Sequence, residues 1–414
     1  MRTLCTLLLP AALLSATPAL PQPLPVTGEI LISVSDETSR LRPDVAADRA
    51  GRFVVVWREI AEQDGGIAGR RVSSEGMPEG PGFVVAPREE RLHTTSPRVV
   101  CRADGGFLAA WGEAAFPRQG CARTRLFDAR TEAGEVFNLG LCASAPGRAP
   151  AVGLGGLRDG RVTAAWETGQ ASAPAALDVL VRPLSAPGEA PLEAVRVDVG
   201  DDGRGEDGSE TAPAVAVDGL GRAFVVWVQA DAGALFGRRF DAAGQPMGVP
   251  FRVDAGIGIP LETAVAPVPG GRFVAVWSAY LGGGDRFAIL AQRFDASGRK
   301  QGPLLVVSSA SSPVREHHDP DVATDAAGNL LVVWGATRVD GSGTGVLGRF
   351  FDRKGEPLGE PFRINRTARG SQGHPAVAST RAGRFLVVWD SQKSAAGRGS
   401  IVGRLYETPR PVVP

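Results

Sequence analysis

The apolar positions of this chain come in short bursts, not along a helical face. Runs such as Phe53-Val-Val-Val-Trp57, Ala223-Phe-Val-Val-Trp227 and Leu330-Leu-Val-Val-Trp334 are apolar at every position, and each follows a glycine-marked turn. A strand with one face in water alternates apolar and polar residues. A strand apolar on both faces belongs to a sheet covered front and back. No long stretch repeats with the 3.6-residue period of an amphipathic helix, and the 54 glycines and 32 prolines supply turns throughout. The pattern predicts an all-β protein.

Aligned on tryptophan, the bursts become one repeating unit. Trp57, Trp111, Trp166, Trp227, Trp277, Trp334 and Trp389 are the seven tryptophans of the chain, one per copy. Six residues before each lies a glycine (Gly51, Gly105, Gly160, Gly221, Gly271, Gly328, Gly383), and twelve before lies an aliphatic residue. Fourteen before lies a proline in five copies: Pro43, Pro97, Pro213, Pro320 and Pro375. The third copy has Pro150 two residues earlier, and the fifth has Thr263. The fourth copy reads strand by strand: a first strand opened by Pro213, a second at 223–227, a third at 235–240, a tight turn from Asp241 to Gly244, and a fourth at 250–253. Four strands per unit in an array of this period predict a seven-bladed β-propeller.

The two ends of the chain complement one another. The seventh copy stops after a third strand at 401–406, and residues 25–33 look like a fourth strand with nothing before them to pair with. Placed in blade seven, the N-terminal strand closes the ring and removes two open sheet edges. The expected organisation is a signal peptide at 1–19, one propeller over 25–406 with blades starting near 43, 97, 150, 213, 263, 320 and 375, and a short tail at 407–414. The unit Pro-x-Val-Ala, glycine turn, Phe-Val-Val-Val-Trp, Arg-Phe-Asp-Ala-x-Gly resembles repeats of secreted bacterial β-propeller proteins. Residues 213–244 and 320–355 match best, and the resemblance extends over about the whole mature chain. It implies a scaffold and nothing about activity.

The N-terminus carries Arg2, an apolar run from Leu4 to Leu14, and small residues with prolines from Ser15 to Ala19, the layout of a cleavable secretory signal. The run is too short to span a bilayer, so membrane insertion is not expected, and the protein is expected to be secreted or periplasmic. Formal net charge is +0, which supplies no positive field for nucleic acid. After export three cysteines remain. A hairpin register pairing Phe127 with Val136 sets Cys121 opposite Cys142, predicting a disulfide in an oxidising compartment and leaving Cys101 as a buried thiol.

Repeated residues serve packing, whereas a site needs asymmetry. The tryptophans are therefore assigned to the core between blades. Arg70, Arg125, Arg182, Arg238, Arg349 and Arg404, with Gln292 in the fifth copy, are expected to lie over aromatic rings and bond carbonyls of a neighbouring blade. Asp128, Asp241, Asp295 and Asp352 are expected to bond the backbone of their own turns. What differs between copies sits on the face shared by the loops after strands two and four. All four histidines fall there, so the candidate binding face is His93, His317, His318, Asp319 and His374, with His318, Asp319 and His374 flanking the mouth of the central channel. His318 and His374 are weak candidates for binding a divalent cation. So are Asp201, Asp202 and Asp207 of the acidic insertion between blades three and four, which lacks the order of a calcium loop. No cofactor is otherwise expected. Gly343-Thr-Gly-Val-Leu-Gly348 matches a dinucleotide fingerprint only as a string, because it leads into a strand. The first functional reading is a monomeric, non-enzymatic binding or scaffold propeller that takes a protein or a glycan. The alternative is a propeller glycan hydrolase or lyase acting at the channel mouth.

Overall fold

The computed structural model describes residues 23–33, 38–61, 64–115, 117–142, 144–146, 148–156, 161–169, 177–184, 193–198, 210–283, 286–308, 316–339, 341, 343–392 and 398–409. The expected signal peptide and Asp201, Asp202 and Asp207 lie outside them. The described residues form seven antiparallel sheets, one per repeat, with sequential strand order in six blades. Blade four is representative: Glu210–Val217, Ala223–Gln229, Ala234–Phe240 and Phe251–Arg252 pair in that order. The ring closes as the ends of the sequence predict. Ile30–Leu31 pairs with Gly399–Glu407 as the outer strand of blade seven, and the Val26 N–H donates to the Leu405 carbonyl at 2.8 Å. Glu29 fastens this segment to blade six by accepting from the Thr367 backbone and hydroxyl at 3.1 and 2.8 Å.

The repeated residues do what periodicity assigns them. Every tryptophan is at most 1% exposed, and each packs where two blades meet: Trp277 of blade five lies in one cluster with Phe224, Val226 and Val253 of blade four. The glycine six residues earlier turns the chain between the first two strands. In the six described copies its φ runs from 73° to 88°, a conformation that a side chain at this position would strain. The arginine ring is structural in five copies, whereas Gln292 bonds carbonyls of its own blade and Arg182 lies over Trp166 with its Nε unpartnered among the described residues. Arg238 stacks over Phe240 and donates to the carbonyls of Gly248 and of Val197 in blade three. Arg70, Arg125, Arg349 and Arg404 repeat that reach across the blade junction to Ile32, Val85, Val307 and Ile364. Asp241 accepts from Ala243 and Gln245 N–H in its own turn, and Asp128, Asp295 and Asp352 do the same in theirs.

Two details depart from the sequence-based expectation. Cys121 and Cys142 do form a disulfide, with Cα atoms 4.4 Å apart, but not through the expected register. Phe127 pairs with Ala133, and Val136 pairs with Arg125. A bulge between Ala133 and Val136 takes up the difference, and the chain bends back after Asn138 to bring Cys142 to Cys121. The second departure is that the first strands begin before the proline. In blade one the strand is Ser39–Ala47 with Pro43 inside it, and in blade six it is His317–Thr324 with Pro320 inside. The prolines sit on bulges, where the missing N–H costs no ladder bond.

Candidate functional site

The bulges build the site. In blade one, Leu41 pairs with Arg58 and Asp44 with Val56, so the first strand carries one extra residue. The same slip occurs between Thr211 and Ala214, Pro260 and Thr263, His318 and Asp321, and Gly373 and Ala376. Just before the proline, Arg42, Ala212, Asp319 and His374 are held at φ of 52°, 51°, 48° and 46°. This left-handed conformation is costly for residues other than glycine and clusters at functional positions.

These residues occupy one column of the repeat, fifteen before the tryptophan: Arg42, Ser96, Ala151, Ala212, Glu262, Asp319 and His374. All seven line a single cavity of about 190 Å³ at the channel mouth. The scaffold thus brings a strongly varying column to a common point.

A bulge also leaves a backbone N–H without its ladder partner, and a carboxylate of the preceding blade takes it in three places. Arg42 N donates to Asp390 at 3.0 Å, Ala212 N to Glu167 at 3.1 Å, and Asp319 N to Glu262 at 2.8 Å. These acids then organise the side chains around them. Asp390, 4% exposed, holds His374 Nδ1 at 2.7 Å, while Nε2 lies 3.8 Å from Asp319 Oδ2. Asp319 takes His318 Nδ1 at 2.7 Å and faces the Arg42 guanidinium at 3.8 Å. The Ser278 hydroxyl donates to Glu262 at 2.7 Å. His318 fits because residue 335 is glycine: a Cβ there would lie 2.4 Å from its ring.

Electrostatics sharpen the cluster. Burial pulls His318 towards its neutral form, but the Asp319 hydrogen bond and the charges of Asp319, Glu262 and Glu316 outweigh it and raise its pKa. Burial pushes Asp319 up, yet His318, His374 and Arg42 together hold it below the usual carboxylate value. In an adjoining cavity of about 150 Å³, Asp44, Arg98 and Asp321 line the wall. Burial and the nearby Asp44 charge push Asp321 up to about 7, and burial raises Asp44 against the pull of Arg98.

The structure divides the sequence-predicted residues. It brings His318, Asp319 and His374 together at the mouth. His317 is a correction to the expected binding face: it is 2% exposed, its Nδ1 accepts from Trp334 Nε1 at 3.0 Å, and burial lowers its pKa to about 4. Strand alternation explains the split, since neighbours His317 and His318 face opposite ways. His93 is exposed beside Ala114 in blade two and does not line the cavity. Among the described residues no group of three or more His, Cys, Asp or Glu side chains is placed to hold a metal ion. Sequence reasoning missed Arg42, Arg98, Glu262, Asp321 and Asp390. The signal available was the column before the proline together with the position after tryptophan, where Glu167 and Asp390 stand among residues of other kinds.

No protein-family model and no curated protein matches the sequence. Among solved structures the chain is similar to a protein of unknown function from Dyadobacter fermentans DSM 18053, at 15% identity over 94% of this chain and 99% of that one, with a TM-score of 0.56. It is also similar to the polysaccharide lyase Uly1, at 9% identity over 93% and 100% of the two chains, with a TM-score of 0.51. At such identities the likeness is one of fold.

Proposed function

We propose that this protein works outside the cytoplasm as a propeller that binds a glycan in the cavity at its channel mouth. The observation that carries the reading is the convergence of the varying column on one cavity, with four of its members in a strained backbone conformation. The cavity is concave, small and lined by paired donors and acceptors, features that suit a sugar with many hydroxyls better than the broad face of a protein partner. The extracytoplasmic location draws support from the Cys121–Cys142 disulfide and from the signal-like N-terminus. The repeat's resemblance to those of secreted bacterial propellers points the same way.

A glycan array followed by titration calorimetry tests the reading. At least one saccharide class is expected to bind, with affinity falling at least about tenfold on Asp319→Ala, which removes the acceptor between Arg42 and the two imidazoles. Silence on the array combined with capture of a protein from culture medium would replace the glycan by a protein partner.

A further inference from the structure

We infer that the cavity, granted that it holds a glycan, also hydrolyses it: His374 and Asp321, which share the cavity from adjacent blades, are the general base and general acid for cleaving a glycosidic bond in a neutral sugar.

Three observations converge on this pair. Asp390 is nearly enclosed and bonded to His374 Nδ1, so the carboxylate fixes the proton on that nitrogen and leaves Nε2 as an acceptor on the cavity side. An imidazole that merely occupied a loop would need no buried acid behind it. Asp321 lies one residue beyond Pro320, and its Oδ2 accepts the Val377 N–H at 2.7 Å. Its carboxyl is thereby pinned against the strand that carries His374, three residues further along. The charged groups facing Asp321 are Asp44 of blade one and Arg98 of blade two. Burial and the Asp44 charge keep the Asp321 proton in place up to about pH 7, where a general acid is needed.

Charge decides the class of sugar. Arg98 is paired with Asp44 at 3.8 Å, and the other arginine of the lining, Arg42, stands 3.8 Å from Asp319. The cavity has no positive surplus to attract a uronate or a sulfated sugar. In the step itself, His374 Nε2 takes a proton from water as the water oxygen bonds to the anomeric carbon. The exocyclic C–O bond breaks, its electron pair stays on the departing oxygen, and that oxygen takes the Asp321 proton. One water is consumed, and solvent returns the proton from His374 to Asp321.

The test uses the full chain and a panel of neutral methyl and 4-nitrophenyl glycosides. The wild type is expected to cleave both forms of at least one sugar. His374→Ala loses at least about 100-fold in kcat on both, with binding retained by calorimetry. Asp321→Asn loses at least about 100-fold on the methyl glycoside but less than about tenfold on the 4-nitrophenyl one, because nitrophenolate leaves without a proton. A purely structural Asp321 would slow both alike, and that result overturns the assignment. If His374→Ala does not fold, the closer-sized His374→Gln carries the base arm, with a loss on both substrates expected. Binding of a panel sugar without its cleavage overturns the catalytic inference and leaves the binding reading standing. Absence of any binding overturns both.

Discussion

Glu210 opens the first strand of blade four and is fully enclosed, which makes its charge a measurable burden on the fold. Its Oε1 accepts from Gln229 Nε2 at 3.2 Å, and its Oε2 meets no hydrogen-bond partner among the described residues. The nearest cation, Arg196, is engaged by Asp198 at 2.6 Å and Asp178 at 3.1 Å. Burial, reinforced by the Asp198 charge, therefore raises the Glu210 pKa from 4.5 to about 8. The folded chain keeps a proton that the unfolded chain releases above pH 4.5. The contribution is thus fully present below about pH 4.5, declines as pH rises, and is lost above about pH 8. At about 1.4 kcal/mol per unit, the span is on the order of 5 kcal/mol. Glutamine has the same shape and no proton to lose. Glu210→Gln is expected to match the wild type near pH 4.5 and to become more stable by several kcal/mol at pH 8 to 9. Urea denaturation of both proteins at unit pH steps measures this directly. Wild-type and variant stabilities that run parallel across the range would refute the enclosed, proton-retaining Glu210.

His317 works in the opposite direction: with its pKa lowered to about 4, the folded chain refuses a proton that the unfolded chain binds below about 6.5. Stability is expected to fall by roughly 3 kcal/mol between pH 6.5 and 4, a slope that His317→Gln should flatten in thermal melts across that range. Cys142→Ser opens a bridge of sequence separation 21 in blade two. It is expected to cost about 3 kcal/mol in denaturant titrations, and hydrogen exchange should show the loosening concentrated around residues 119–142.

The fold was legible because propeller packing repeats. One tryptophan per copy fills a blade junction, the glycine takes a left-handed turn in all six described copies, and an arginine ties the third strand to the neighbouring blade in five. A residue needed seven times over announces itself by recurring every 50 to 61 residues. The blade-two register was not legible, because an antiparallel hairpin fixes its pairing at the turn, and the bulge at Ala133 to Val136 adds residues that alternation alone does not reveal. The disulfide was reached all the same, since two cysteines flanking one hairpin have few other partners. The site was half legible. His318, Asp319 and His374 stood out as chemistry in loops next to prolines, whereas His317 looked equivalent to its neighbour, and only strand alternation separates a core imidazole from a channel one.

Arg42, Asp319 and His374 explain why the rest was hidden. Each occupies a scaffold position, the residue before the bulge proline, where the backbone is the same from copy to copy and only the side chain differs. Their partners Asp390 and Glu262 come from the preceding blade and are 348 and 57 residues away in sequence from the N–H groups they hold. No local pattern encodes those pairings. The bulge couples the two levels: it strains the residue it displaces, turns that side chain to the channel, and exposes an N–H that an acid from the preceding blade satisfies. The same acid then orients His374. Scaffold and chemistry therefore share atoms at Asp390, and substitution there is expected to disturb the imidazole and the blade junction together, whereas Asp321 accepts only from the backbone N–H groups of Val377 and Val322 and orients no other side chain of the pair.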